Sequence, residues 1–211
     1  MNSRSPAVEA LLARVRSAVR AQPVSVREVP SHAMVRRVAR DATGLADLFA
    51  AKAAAVGMRV TRVSDSELEA ALARLLESRG KTVVAVRDAG LAARASAAAG
   101  ARLAPNDDDD LLFDCEVGVT DVDCAIAESG SLVVSTNGRI RNAWITPPIH
   151  IAIVRESQVV ADLVDLFESR ADALDAASTT VITGPSKTAD IEGVLVTGVH
   201  GPAAVEIVLV R

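Results

Sequence analysis

Apolar residues follow two different rhythms along this chain. Over Pro6 to Ala21, Val8, Leu11, Leu12, Val15 and Val19 recur at helical intervals with arginines on the other face, which predicts an amphipathic helix suited to packing or to contact between subunits. Pro23 to Pro30 is punctuated by prolines and reads as a linker. Thr43 to Gly57 is Ala-rich and helical, with Gly57 where a left-handed cap belongs. From Met58 onward, short β-branched runs alternate with helical patterns, the signature of an α/β sheet with crossover helices.

The individual elements follow from that alternation. Met58 to Val63 predicts a strand, and Ser64, Asp65, Ser66 and Glu67 form a capping box that opens a helix through Leu68, Leu72, Leu75 and Leu76 to Gly80. Thr82 to Val86 is the next strand, and Asp88 to Ala99 the next helix, ended by Gly100. Pro105 and Asp107 to Asp110 form a solvated connection or the start of a short helix; adjacent aspartates do not converge on one metal ion. Further on, Val117 to Thr120 predicts a strand, Asp121 to Glu128 a short helix, and Ser131 to Ser135 and Ile149 to Val154 two strands. A helix runs through Val159, Val160, Leu163, Val164 and Phe167, and strands at Thr179 to Thr183 and Val205 to Val210 follow. The last of these reads as a buried strand that completes the domain.

Composition narrows the function classes. With 211 residues, half of them hydrophobic and 24% charged, the chain can bury a large core and is not disordered. A formal net charge of -4 has the wrong sign for a dedicated nucleic-acid binder. Aromatic residues make up 2%, so the core is built from Ala, Val, Leu and Ile, without stacking platforms for bases or sugars. Mean hydropathy is positive at +0.28, yet no run of about 18 apolar residues is present to span a membrane. Arg14, Arg16 and Arg20 interrupt the N-terminal apolar pattern, so no signal peptide is read and a cytoplasmic location is expected. Cys115 and Cys124 are expected to be reduced, buried or semi-buried thiols and not a disulfide. Two cysteines cannot supply the four thiolates of an iron–sulfur cluster, so no cofactor is expected in this chain.

Candidate chemistry gathers in the C-terminal half. Glu128 falls in the last turn of the predicted 121–128 helix, facing the negative end of the dipole, an arrangement costing roughly 0.3 to 1 kcal/mol. It reads either as a ligand-facing carboxylate flanked by Ser129, Gly130 and Ser131 or as a solvent-exposed glutamate. The segment Gly184, Pro185, Ser186, Lys187, Thr188, Ala189, Asp190, Ile191 and Glu192 follows a strand and opens what reads as a short helix. Such a loop cradles a carboxylate or phosphate; alternatively, Asp190 and Glu192 neutralise Lys187 internally. A Walker motif needs glycines where this chain has Val181 and Ser186, which excludes nucleoside-triphosphate binding on this basis. His150 stands at the mouth of a strand after Pro147 and Pro148, and His200 lies between Gly198 and Gly201. Both are candidates for orienting a substrate or moving a proton, or else are structural. Together with His32 they provide no metal-ligand spacing, so no metal site is expected.

Taken in order, Gly118-Val119-Thr120, Ala127 to Ser131, Pro147 to His150, Gly184 to Glu192 and Gly198 to Pro202 resemble the lactate-utilisation protein C (LutC/YkgG) family, whose module is the LUD domain. The likeness covers roughly Asp114 to Val210. Ser129-Gly130-Ser131 stands where the family usually has Thr-Gly-Thr, and Lys187 where it commonly has Arg; the hydroxyls and charge are kept, but lysine lacks the bidentate fork. Trp144-Ile145-Thr146 replaces a Leu-rich stretch. The resemblance implies a three-layer α/β/α sandwich of the NagB/RpiA/CoA-transferase-like kind, with residues 1–42 as a helical extension and linker and 43–211 as the LUD domain. It also implies a place in bacterial L-lactate oxidation beside iron–sulfur subunits that carry the redox centres.

On this basis the chain is expected to bind a small carboxylate or phosphate near the C-terminal ends of its strands. Ser129, Gly130, Ser131, Gly184, Pro185, Ser186, Lys187, Thr188, Asp190, Glu192 and Gly201 would bind it, and Glu128, His150 and His200 would orient it or exchange a proton. The rival expectation is a stand-alone enzyme resembling CoA transferases or sugar-phosphate isomerases, with Glu128 as nucleophile or base. A third is a scaffold whose motifs only pack.

Overall fold

The structure, a computed structural model, describes residues 5–21, 37–39, 44–78, 83–86, 90–91, 93–95, 102–103, 113–136, 141–189, 193 and 195–211. The predicted linker with His32, the acidic run Asp107 to Asp110, and Asp190 and Glu192 lie outside the described residues. The chain divides into two compact units, Met1–Arg36 and Arg37–Arg211. In the first, helix α1 (Pro6–Ala21) forms where the amphipathic pattern places it, with Val8, Leu11 and Val15 exposed.

The second unit is organised by a six-stranded, all-parallel sheet. Its order is β1 (Arg59–Val63), β12 (Ala204–Val210), β7 (Ile149–Arg155), β4 (Val117–Asp121), β2 (Val83–Val86) and β3 (Arg102–Leu103). The β-branched runs sit here because the sheet is covered on both faces and alternation is therefore lost. Helix α3 (Leu68–Glu77) covers one face with Leu68, Leu72 and Leu76 against Val117, Val119, Ile151 and Val208. The capping box at its entrance forms as predicted, with the Ser64 backbone N–H donating to the Glu67 carboxylate at 2.8 Å. On the other face, Phe49 and Ala53 of α2 (Leu45–Ala55) and Trp144 of α4 (Asn142–Ile145) pack against Ala152, Val154, Val205, Ile207 and Leu209.

A second sheet lies on that same face, in the order β8 (Val159–Val160), β5 (Cys124–Ile126), β6 (Ser131–Ser135) and β9 (Thr179–Ile182). Here two expectations are corrected. Residues 121–128 form no helix: Asp121 ends β4, Cys124 to Ile126 form β5, and Ala127 to Gly130 turn into β6. Val159 and Val160 pair with β5, and the helix α5 (Leu163–Ser169) starts only after Asp162. Val122 and Cys124 to Ala127 are buried and Val159 and Val160 half-buried, and over such short apolar runs spacing does not distinguish strand from helix. Ala125 faces the main sheet's core, whereas Cys124 and Ile126 face Leu166 of α5 and Ala173 of α6 (Ala171–Leu174).

Asp162 is the N-cap of α5, accepting hydrogen bonds from the Val164 and Asp165 amides. It also accepts from Arg37 Nε at 2.6 Å, while Arg37 Nη2 reaches Asp165 at 2.7 Å. Burial alone raises the Asp162 carboxyl, but the hydrogen bonds from Arg37 and from the Asp165 and Val38 amides outweigh it and hold the group below the ordinary value. Cys115 and Cys124 are both buried, and no disulfide joins them; burial pushes Cys124 up to about 11.

Candidate functional site

The loops around the start of β7 and β12 create a cleft of about 250 Å³. Trp144 and Ile145 of α4, Thr180 to Ile182 of β9, Thr183, Gly184, Ser186, His200, Gly201, Pro202 and Val205 line it. The glycine- and proline-rich segments meet through the backbone: the Ser186 N–H donates to Pro202 O at 2.8 Å, and the Gly198 N–H to Ser186 O at 2.9 Å. Beyond the cleft, Lys187–Thr188 (β10) pairs antiparallel with Val196–Thr197 (β11). The loop therefore leads into a hairpin, not the expected helix, and no helix dipole acts at Lys187.

Close backbone approach explains two of the glycines. At Gly118 a Cβ would lie 1.8 Å from the Ala143 carbonyl, so α4 rests directly on β4. Gly130, at φ +68°, would place a Cβ 2.2 Å from the Ala53 amide nitrogen. These contacts leave room for glycine alone and hold α4 and the β5–β6 turn in place.

Polar groups near the cleft are wired to one another. Trp144 Nε1 donates to Thr180 Oγ1 at 3.3 Å. Ser129 Oγ and Ser131 Oγ lie 2.7 Å apart, and Ser131 Oγ lies 2.7 Å from Thr183 Oγ1, forming a chain of three hydroxyls that ends at the cleft. His150 is fully buried with its Nε2 2.8 Å from the equally buried Thr120 Oγ1. In the sheet it is flanked by Gly118 and Val205, on the face that Val205 presents to the cleft.

The candidate residues thus fall into three groups. Gly184, Ser186, His200 and Gly201 line the cleft, and Ser129 and Ser131 reach it through Thr183. Gly130 and Pro185 support its surroundings, Pro185 lying against Gly57, and Thr188 sits in the hairpin facing Val196. Glu128, His150 and Lys187 are not among the lining residues. Glu128 is exposed on the β5–β6 turn, its N–H donating to Ala161 O at 3.0 Å, and the dipole argument for it disappears with the helix. Lys187 is exposed, with Nζ 3.9 Å from the position a Cβ would take at Gly57.

The cleft also opens at the N-terminal edge of the main sheet, opposite the edge expected, since Val205 is the second residue of β12 and α4 precedes β7. None of Thr180, Thr183 and Trp144 is assigned a binding role by the sequence, although Thr183 opens the Gly184–Glu192 segment and Trp144 marks a departure from the family pattern. The threonines alternate with apolar residues along β9, but that signal points to a site only once the second sheet is known. Among the described residues, no three His, Cys, Asp or Glu side chains gather to hold a metal, and no helix is long and apolar enough to cross a membrane.

This parallel sheet, covered on both faces and carrying a smaller second sheet, is the LUD domain: the family matches residues 46–210, and the chain belongs to it. Its particular relatives carry the name lactate utilization protein C, which bears out the family likeness read from the motifs. The one from Exiguobacterium sp. is 37% identical over 108 residues, 48% of this chain and 47% of that protein. The one from Halalkalibacterium halodurans is 40% identical over 95 residues, 41% and 40% of the respective chains. That from Bacillus subtilis (strain 168) is 37% identical over 100 residues, 44% and 42%. The chain thus spans about half the length of the curated relatives it matches. A crystal structure of a DUF162 family protein from Deinococcus radiodurans shares the fold, with a TM-score of 0.61 and 21% identity over 79% of this chain and 96% of that one.

Proposed function

We propose that this chain is a LUD-domain component of a bacterial, cytoplasmic L-lactate utilisation system, in which it binds a small anion at the cleft and works beside iron–sulfur subunits that hold the redox centres. The observation that carries the reading is the meeting of the Gly184–Ser186 and His200–Pro202 segments, two of the family-like motifs, on one hydroxyl-lined cleft. Hydroxyls, loop backbone and an imidazole are suitable partners for a carboxylate or phosphate. The exposed position of Glu128 on a turn outside the lining supports a binding component over a stand-alone enzyme that uses this carboxylate as nucleophile.

Thermal unfolding of the purified chain with L-lactate or inorganic phosphate tests the binding role. A ligand held by the folded protein raises the midpoint, by about 2.7 kcal/mol of stabilisation at a hundredfold excess over Kd, and His200→Ala should remove the rise. Neither anion shifting the midpoint would refute the proposal. Affinity purification from a lactate-grown bacterial host tests the subunit role, with iron–sulfur proteins as the expected companions.

A further inference from the structure

Arg37, the first residue of the second compact unit, lies ahead of the family-matched residues 46–210, yet its guanidinium is built into that domain. We infer that Arg37 is a clasp through which the N-terminal extension acts on the Ala127–Gly130 turn: engaged, it fixes the turn, and withdrawn, it frees it. The inference goes beyond the binding role of the cleft and does not depend on it.

The clasp is a fork closed on two acceptors. Arg37 Nε donates to Asp162 Oδ2 at 2.6 Å and Nη2 to Asp165 Oδ1 at 2.7 Å, and the Val38 N–H adds a bond to Asp162 Oδ2 at 3.1 Å. A planar guanidinium spans two carboxylates in this way, whereas an ammonium acts as a point charge. The Asp162 and Asp165 side chains are 2% and 5% exposed, so water scarcely reaches them, while Arg37 keeps 28% of its side chain in solvent. The cation is therefore the member that can leave. Its departure leaves two like charges buried side by side, which costs far more than the loss of an exposed pair.

From the clasp to the turn the contacts are direct. Asp165 Oδ2 accepts the Ala161 N–H at 3.2 Å, and Ala161 O accepts the Glu128 N–H at 3.0 Å. Beside them, Val160 O accepts the Ala127 N–H at 2.9 Å. Asp162 caps α5 through the Val164 and Asp165 amides, so both carboxylates set the path of the chain where β8 passes into α5. The turn has a separate support in the close approach of Gly130 to the backbone of α2. Losing the clasp thus loosens the Glu128 end first and leaves the Gly130 end seated. A partner that grips the N-terminal unit and draws Arg37 out would act in this way on a family-like motif far along the chain. Arg37 is then a positioning residue, acting through Asp165 and Ala161.

Amide hydrogen exchange of the full chain, resolved by residue, tests the inference. In Arg37→Ala the Ala161 and Glu128 amides should exchange roughly tenfold to a hundredfold faster than in wild type, the worth of a hydrogen bond to a charged group. The Ile207 and Leu209 amides of β12 should change by less than about threefold, since local opening leaves the main sheet closed. Millimolar methylguanidinium should refill the fork and slow Ala161 and Glu128 again, and KCl at the same ionic strength should not. Arg37→Lys, which keeps the charge and loses the fork, should also exchange faster than wild type at both amides, and it carries the test if Arg37→Ala does not fold. Wild-type exchange at Glu128 in either variant, equal acceleration in β12, or equal recovery with KCl would each overturn the clasp.

Discussion

The two edges of the main sheet are built from different chemistry. At the C-terminal edge, Asp65 after β1 meets Arg155 at the end of β7 at 3.0 Å and Arg94 at 3.4 Å, and Arg94 also pairs with Glu69. Asp65 and Arg155 are more than half exposed. At the N-terminal edge, neutral hydroxyls and a buried imidazole lie among backbone segments in direct contact. Exposed ion pairs contribute little because water and salt screen them, whereas a buried polar group that loses its partner carries the full desolvation cost. Charge is concentrated where it is cheap to hold and easy to lose. Shape and hydrogen-bond polarity are concentrated where substitutions are felt most, which is also where the cleft opens.

The sharpest way to break this contrast is Gly118→Ala. Its Cβ has nowhere to go except into the Ala143 carbonyl, so α4 must lift from β4. The expected cost is about 3 kcal/mol or more, read as a shift of the urea midpoint or as insoluble protein. Thr120→Val should cost less, about 1–3 kcal/mol, by taking the hydroxyl from His150 Nε2 while keeping the shape of the side chain; urea titration at constant pH reports it.

The other edge should respond weakly and electrostatically. Hydrogen bonds from Arg155 and Arg94 hold the Asp65 carboxyl below its ordinary value. A carboxyl lowered by folding adds stability above its unfolded pKa of about 3.9 and loses it as the pH falls through the folded value. Asp65→Asn should therefore lower the melting temperature slightly at neutral pH, and the difference from wild type should vanish in acid and in molar salt. Smallest of all should be the effect of Lys187→Ala on L-lactate affinity, less than about twofold for an exposed charge outside the cleft lining. A larger loss in calorimetry would bring Lys187 back to the ligand.

Much of the main sheet was legible because its strands are buried on both faces and read as apolar runs, as in Ile149 to Val154 and Val205 to Val210. The second sheet was legible only in β6 and β9. β5 and β8 are three and two residues long, too short to show a period, and their state is decided by partners far away in the chain. The site divides in the same way. Gly184, Ser186, His200 and Gly201 were visible as loop residues with local signatures. Thr183 meets Ser131, 52 positions away, and Thr180 meets Trp144, 36 positions away. Glu128 was misplaced because its supposed role depended on a helix that long-range strand pairing replaces.

The position of β12 carries a kinetic consequence. This strand lies between β1 and β7, and its Glu206 meets Arg59 across a separation of 147 residues. Contacts so distant in the chain close slowly, because the loop entropy is lost before the pairing is gained. Among the described residues β1 pairs with β12 alone, and the loop that leads into β12 supplies His200, Gly201 and Pro202 to the cleft. Docking of one strand therefore joins the outermost strand to the sheet and assembles the cleft in the same late event. In refolding experiments, ligand binding should appear with the slowest structural phase and never ahead of it.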